Sequence, residues 1–333
     1  MRAITVRDRA TGLAGLSLTE EPYPHATEND VVVRVHAAGF TPGELDWPGT
    51  WTDRAGHDRT PSVPGHEVSG IVAELGYGTT GLTVGQRVFG LTDWTRNGSL
   101  AEYVAVEARN LAPLPADVDH TVAAALPISG LTAWQGLFDH GRLTAGQTVL
   151  IHGVAGGVGS IAVQLAREAG ARVIGTGRAG DRDTALGLGV AAFLDLQADP
   201  VEDAGQVDVV FDVIGGDILD RSAALVRAGG MLVTIVSPPR SGPVTGRRSS
   251  SSSSRIVPGW RTWHSGSGTD GSARSSGPCG RSPRRPPRSR PPSAPPARRS
   301  SGSRKANSRL SRRCIGSAAF EQTTAFEQPI TKA

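Results

Sequence analysis

The chain has 333 residues and a formal net charge of +4, which suits two domains of ordinary size with a sizeable core rather than a single small module. That charge is unevenly divided. Residues 1–240 hold 17 Arg and no Lys against 28 acidic residues, a net −11, whereas residues 241–333 hold 16 Arg and 2 Lys against 3 acids, a net +15. The sequence is an acidic body with a basic tail, so the whole-chain isoelectric point describes neither part. Both cysteines, Cys279 and Cys314, lie in the tail, which leaves the body without a thiolate for zinc, a disulfide or a Cys nucleophile. A Cys-free body with no charged-then-apolar leader and no long apolar run is expected in the cytoplasm, away from a membrane.

Short β-branched runs open the body. Strands are predicted at Ala3 to Val6, Val31 to His36, Ser69 to Leu75, Arg87 to Phe89 and Ala101 to Val106, separated by turn residues such as Pro42-Gly43, Pro64-Gly65 and Gly76 to Gly81. This pattern predicts a small antiparallel barrel or sandwich. From about Asp117 helices and strands alternate. A helical stretch over Val122 to Gly136 is followed by a strand at Thr148 to His152, a helix from Val158 to Ala169 and a strand at Arg172 to Gly175. A helix near Thr184 to Gly187, a strand at Val207 to Val213, a helix near Ile218 to Arg227 and a strand at Met231 to Val236 follow. Such alternation predicts right-handed βαβ units in a doubly wound parallel sheet.

After Pro239 the pattern stops. Six consecutive serines, Ser249 to Ser254, and the run Arg281 to Pro296 carry no amphipathic period, and a chain so rich in Arg, Ser, Pro and Gly is expected to be disordered. Three origins stay open: an arginine-rich arm for nucleic acid, a solvated extension, and out-of-frame translation of a high-GC gene. The third fits the abrupt change of composition and the absence of Lys before it. Arg clusters without interleaved aromatic residues argue against nucleic acid as a partner.

The strongest chemical signal is the segment Thr148 to Ala166, where an apolar strand ends at a glycine cluster and a small-residue helix begins at once. Such a turn lets backbone approach a pyrophosphate and aims helix N-terminal amides at it. Ala155, Gly156, Gly157, Val158 and Gly159 are the expected cofactor-binding residues; the first glycine of the usual fingerprint is replaced by Val154. At the end of the next strand, where an acid would hold an NAD ribose, stands Thr176. With no carboxylate expected there, and Arg178 and Arg182 able to pair with a 2′-phosphate, NADPH is predicted over NADH.

Several ordered motifs now come together: Pro64-Gly65-His66-Glu67-Val68-Ser69-Gly70, Gly85 to Gly90, Gly98 to Val104, Gly130-Leu131-Thr132-Ala133-Trp134, Ala155 to Gly159, and Asp208 to Gly216. Over about residues 1–239 the chain resembles the medium-chain dehydrogenase/reductase superfamily, in particular its zinc-independent quinone oxidoreductase-like branch. The resemblance implies an α/β fold in which a GroES-like, mostly β catalytic domain (1–116) precedes a Rossmann doubly wound parallel sheet (117–239), with the active site in the cleft between them. It also implies a homodimer and a returning last segment that completes the catalytic domain. The tail (240–333) shows no such helix and strand, so the parallel sheet is expected to lose its final strand after Met231 to Val236.

By the same resemblance Thr132, Val213 and Gly215 belong to the cofactor site, while Thr41, Glu44, Trp47, His66 and Glu67 line the substrate side, with Trp94 nearby. Gly65-His66-Glu67 looks like the zinc-alcohol-dehydrogenase motif, but Thr41 occupies the place of the first cysteine and the link Leu91 to Ser99 has no room for a zinc lobe. One His and one Glu fall short of three protein ligands, so no metal is expected. The implied chemistry is hydride delivery from NADPH to a small-molecule quinone, enone or other activated carbonyl acceptor. An NADPH-holding protein without turnover is the alternative.

Overall fold

Valines build the first half. The computed structural model describes residues 1–236, 246–249 and 261–265, and in it β1 (Arg2–Thr5) pairs with β2 (Ser17–Glu20) beside a five-stranded antiparallel sheet. That sheet consists of β3 (Asp30–Gly39), β4 (Glu67–Leu75), β5 (Arg87–Leu91), β6 (Tyr103–Glu107) and β7 (Leu111–Pro113), in the order β6-β3-β4-β5-β7. Val31, Val33, Val68, Val72, Val88, Val104 and Val106 bury one shared cluster, as side chains at every second position of paired strands must. A short turn of 3-10 helix at Pro42–Asp46 and a single α-turn, α1 (Pro48–Trp51), lie between β3 and β4.

The second half winds from its centre outward. After α2 (His120–Ala124) and α3 (Pro127–Trp134), β8 (Thr148–His152) starts the sheet, α4 (Gly157–Glu168) leads to β9 (Arg172–Gly177), and α5 (Arg182–Leu188) to β10 (Ala192–Asp195). The chain then crosses to the other side of β8 for β11 (Val207–Asp212), α6 (Asp217–Ser222) and β12 (Val226–Thr234). The parallel order β10-β9-β8-β11-β12 reverses between β8 and β11, the switch at which a doubly wound sheet opens a crevice for ligands. Both faces are covered. Val149, Ile151 and Phe211 pack against Ala133 of α3, Ala162, Val163 and Ala166 of α4 and Leu188 of α5, whereas Leu150, Val210 and Leu232 pack against Leu219 of α6 and Ala223.

The structure corrects several predicted boundaries. The helical stretch Val122 to Gly136 is two helices, because Pro127 supplies no amide to continue α2 and instead takes the first position of α3; a π-helical turn, Gln135–His140, prolongs α3. The helix near Ile218 to Arg227 ends at Ser222, a 3-10 turn follows, and Val226 already pairs with Val207 in the sheet. Nor does the sheet end at β12. Strand β14 (Arg261–Ser265) pairs antiparallel with it, and β13 (Gly246–Ser249) pairs with β14. An open strand edge offers main-chain donors and acceptors to any extended segment, whatever its hydrophobic pattern. The rest of the tail, with the expectations about its disorder and origin, lies outside the described residues. Among the described residues no helix is long and apolar enough to cross a membrane.

Candidate functional site

Of the predicted substrate-side residues, Glu44 and His66 are buried side by side and form a knot with the half-buried Trp47. The 3-10 turn that follows Thr41 brings Glu44 back onto its own start, so that Oε1 accepts the Thr41 N–H at 2.9 Å while Oε2 accepts the Gly65 N–H at 3.0 Å. The carboxyl group is fully buried, and burial, opposed by these two backbone donors, pushes its pKa up to about 8. His66 Nε2 lies 3.9 Å from Glu44 Oε2, too far for a hydrogen bond, and this buried nitrogen has no partner. The other ring nitrogen, Nδ1, is 2.8 Å from Thr92 Oγ1. The His66 ring stacks on Trp47 (6.0 Å between centroids) and meets Trp94 edge-on (5.1 Å); burial and the Arg59 charge depress its pKa to about 3. Thr41 itself is exposed.

Glu67 points elsewhere. Its Oε1 accepts the Ile128 N–H at 2.8 Å, tying β4 to the first turn of α3, where an amide has no helical acceptor. Burial raises its pKa to about 7. Gly39 leaves room for this carboxylate, since a Cβ there would overlap Glu67 Oε2.

In the second half β8 ends in His152, and Gly153, with φ +69°, turns the chain into the glycine loop. The Thr176 carbonyl accepts the N–H groups of both Gly153 (3.0 Å) and Val154 (3.1 Å), and Gly153 O accepts from Gly156 N at 3.0 Å. Gly156 and Gly157 are exposed, and α4 begins there, so its unpaired first-turn amides open toward an anion. A Cβ on Gly159 would overlap the Gly153 carbonyl oxygen and lie 2.7 Å from its carbon; only glycine lets helix and loop approach this closely. Thr132 is buried in α3, the helix whose Ser129 Oγ would lie 3.2 Å from a Cβ on Gly157. Val213 touches the loop as well, its Cγ2 3.0 Å from a Cβ built on Gly153, and the Gly215 N–H is held by the Asp212 carboxylate at 3.0 Å. The fit to a dinucleotide diphosphate is therefore good.

The end of β9 differs from expectation in two ways. The Thr176 side chain is fully buried and bonded to His152 Nδ1 at 2.9 Å, so its hydroxyl faces the interior instead of a ribose. A carboxylate is present after all: Asp181 Oδ2 accepts the Arg178 N–H at 2.8 Å. The sequence hid it because Asp181 follows the strand by four residues and is folded back by the intervening turn. Arg178 is exposed; Arg182 lies over the Phe193 ring at 5.0 Å and 3.9 Å from Asp199 Oδ2.

A three-ligand metal site is not formed among the described residues. Both oxygens of Glu44 are taken up by backbone N–H groups, Glu67 is committed to Ile128, and among the described residues no three His, Cys, Asp or Glu side chains converge. Of the polar residues that organise the site, His152, Asp212, Ser222 and Thr234 were not among those predicted. His152 directly precedes the glycine cluster, and that adjacency was the available signal.

A GroES-like β domain followed by a doubly wound sheet with a glycine turn at its switch point defines a dehydrogenase/reductase architecture. Residues 27–116 match the alcohol dehydrogenase GroES-like domain and residues 157–257 the family described as zinc-binding dehydrogenase. The chain belongs to the medium-chain dehydrogenase/reductase superfamily, in its quinone oxidoreductase-like branch. It is 32% identical to tomato (Solanum lycopersicum) 2-methylene-furan-3-one reductase over 65% of this chain and 58% of that one, and 31% identical to the quinone oxidoreductase of Rattus norvegicus over 64% and 66%. The chain thus spans less than two thirds of the length of these curated relatives. Among solved structures, an alcohol dehydrogenase superfamily protein from Novosphingobium aromaticivorans superposes with a TM-score of 0.64 at 31% identity, covering 72% of this chain and 73% of that one. A mycobacterial protein solved in complex with NADPH superposes with a TM-score of 0.62 at 30% identity, covering 73% and 76%.

Proposed function

We propose that the chain is an NADPH-dependent oxidoreductase that reduces a quinone, an enone or another activated carbonyl compound without zinc, working in the cytoplasm on a small molecule. The observation that carries this reading is the glycine turn at the switch point, where exposed Gly156 and Gly157 precede the first amides of α4 and the sole side chain of Gly159, a hydrogen, permits the close approach. Bound NADPH supplies the hydride. The chain's part is to hold the diphosphate on the loop, to seat the extra phosphate beside the Arg178 and Arg182 guanidinium groups, whose charge offsets the Asp181 carboxylate turned onto the Arg178 N–H, and to place the acceptor against the Trp47 and Trp94 side of the first domain. Solvent supplies the proton. The reductase names of the tomato and rat relatives and the NADPH complex of the mycobacterial neighbour support the acceptor class and the cofactor.

The test is a titration of the full-length chain with NADPH and NADH, followed by NADPH consumption against a panel of quinones and enones and metal analysis of the same preparation. Tight NADPH binding with turnover and no bound zinc is expected. Binding without consumption of any acceptor would favour the nucleotide-holding alternative, and stoichiometric zinc would overturn the metal-free mechanism. Arg178→Ala separates the two nucleotides. Losing one charge-assisted contact to a phosphate, worth about 1.5–3 kcal/mol, should weaken NADPH binding by roughly 10- to 100-fold and leave NADH unchanged. Equal losses for both would remove Arg178 from the 2′-phosphate site.

A further inference from the structure

The proposed chemistry makes no use of His152, yet its imidazole joins the elements that carry both cofactor loops. The ring is fully buried at the end of β8, with Nδ1 2.9 Å from Thr176 Oγ1 at the end of β9 and Nε2 2.8 Å from Ser222 Oγ at the end of α6. The proton positions follow by elimination. The single hydroxyl hydrogen of Ser222 goes to the Ile218 carbonyl at 2.7 Å, so toward His152 this oxygen accepts and Nε2 carries the hydrogen. Burial keeps the ring neutral, although the Asp212 carboxylate nearby favours protonation. Nδ1 is then a lone pair, and Thr176 Oγ1 donates to it.

Each end of this chain of hydrogen bonds reaches a loop. Thr176 holds Gly153 and Val154 through its carbonyl. Ser222 closes α6, the helix that starts directly after the loop Val213 to Gly216, and the same loop is fixed from below by Asp212, which accepts from Ile214 N, Gly215 N and Thr234 Oγ1. We propose that His152 is a positioning residue, a neutral Nε2-protonated imidazole that sets the glycine loop 153–159 against the loop 213–216 through Thr176 and Ser222, so that nucleotide affinity depends on it. This rests on reading the two loops as the nucleotide site.

A double-mutant cycle in the full-length chain tests the linkage, with the NADPH dissociation constant read by nucleotide fluorescence and folding by circular dichroism. Thr176→Val and Ser222→Ala should each weaken NADPH binding about tenfold, since each strands one ring nitrogen. The double variant should also lose about tenfold rather than a hundredfold, because freeing the ring at one end already uncouples the other. Unchanged affinity in both single variants, with only a lowered melting temperature, would reduce His152 to a core residue, and full additivity would break the linkage. Should Thr176→Val not fold, His152→Asn takes its place: the Asn carbonyl oxygen keeps an acceptor toward Thr176, while the shorter side chain puts no donor where Nε2 met Ser222, so adding Ser222→Ala should change nothing further, and a further loss overturns the proposal. A wild-type chain that binds neither NADPH nor NADH would instead topple the nucleotide-site reading, and this inference with it.

Discussion

Gly159→Ala is expected to abolish detectable NADPH binding, a loss of at least about 100-fold, and to destabilise the fold by about 3 kcal/mol. The added methyl would meet backbone on every near side: the Gly153 carbonyl oxygen, its carbon at 2.7 Å and Val154 Cα at 2.9 Å. None of these can rotate away as a flexible side chain would. Either α4 retreats from β8, opening the cluster in which Ala162 and Val163 pack against Ile151, or the turn at Gly153 opens and its bonds to Thr176 O and Gly156 N are broken. In both cases the amides no longer converge on one point. The neighbouring glycines give the contrast. A Cβ at Gly157 would come within 3.2 Å of Ser129 Oγ, and at Gly156 within 3.3 Å of Gly153 O, tight contacts that shifts of a few tenths of an ångström relieve. Gly157→Ala should therefore fold nearly as well as wild type and lose affinity only where a methyl crowds the diphosphate. Equal affinity of Gly159→Ala and wild type in a nucleotide titration would mean that this turn is not where the cofactor sits.

The parts of the fold legible in the sequence are those in which a single physical signal dominates. β8, α4 and β9 are marked by an apolar run, a glycine break and apolar positions at 159, 162, 163 and 166, and there prediction and structure agree to within two residues. β2, β7 and β10 escaped because they are three or four residues long, and β2 and β7 are mostly exposed, so alternation has no length over which to show. Pro127 lies inside the single helical stretch predicted over Val122 to Gly136 and is the boundary of two helices. At the site, the glycine loop was readable because its backbone demands glycine. The Glu44 knot was placed only by family resemblance, although Thr41-Pro42-Gly43-Glu44 has the spacing of a capping box. What no local pattern could give is the partner set: Gly65 for Glu44, Ile128 for Glu67, and Ser222, 70 residues along, for His152. Those pairings are made by tertiary packing, which also sets the burial that shifts the titration of these groups.

Such burial should be visible in the stability of the whole chain as a function of pH. His66 and His152 have folded pKa values of about 3 and 4 against an ordinary 6.5. The unfolded chain therefore binds protons first as pH falls below 6.5, and stability drops toward pH 3. Glu44 and Glu67 do the opposite: held protonated to about 8 and about 7 against an ordinary 4.5, they lose stability as pH rises above 4.5, because the unfolded chain ionises first. Between about 4.5 and 6.5 the two histidines and the two glutamates offset each other. Above 6.5 only the glutamates remain, and about 3 kcal/mol of stability should disappear by pH 8.5. Glu44→Gln assigns the larger part. Glutamine cannot ionise, and its NH2 group must face an N–H of either Thr41 or Gly65, so the variant should be about 1–3 kcal/mol less stable than wild type at pH 5.5. Its alkaline decline should shrink to that of Glu67 alone, bringing the two curves together near pH 8.5. Urea unfolding at pH 5.5, 7 and 8.5 reads both effects. A wild-type curve flat across that range, or a Glu44→Gln curve that falls as steeply as wild type, would show that the Glu44 carboxyl is ionised in the folded protein, with the Thr41 and Gly65 amides outweighing its burial.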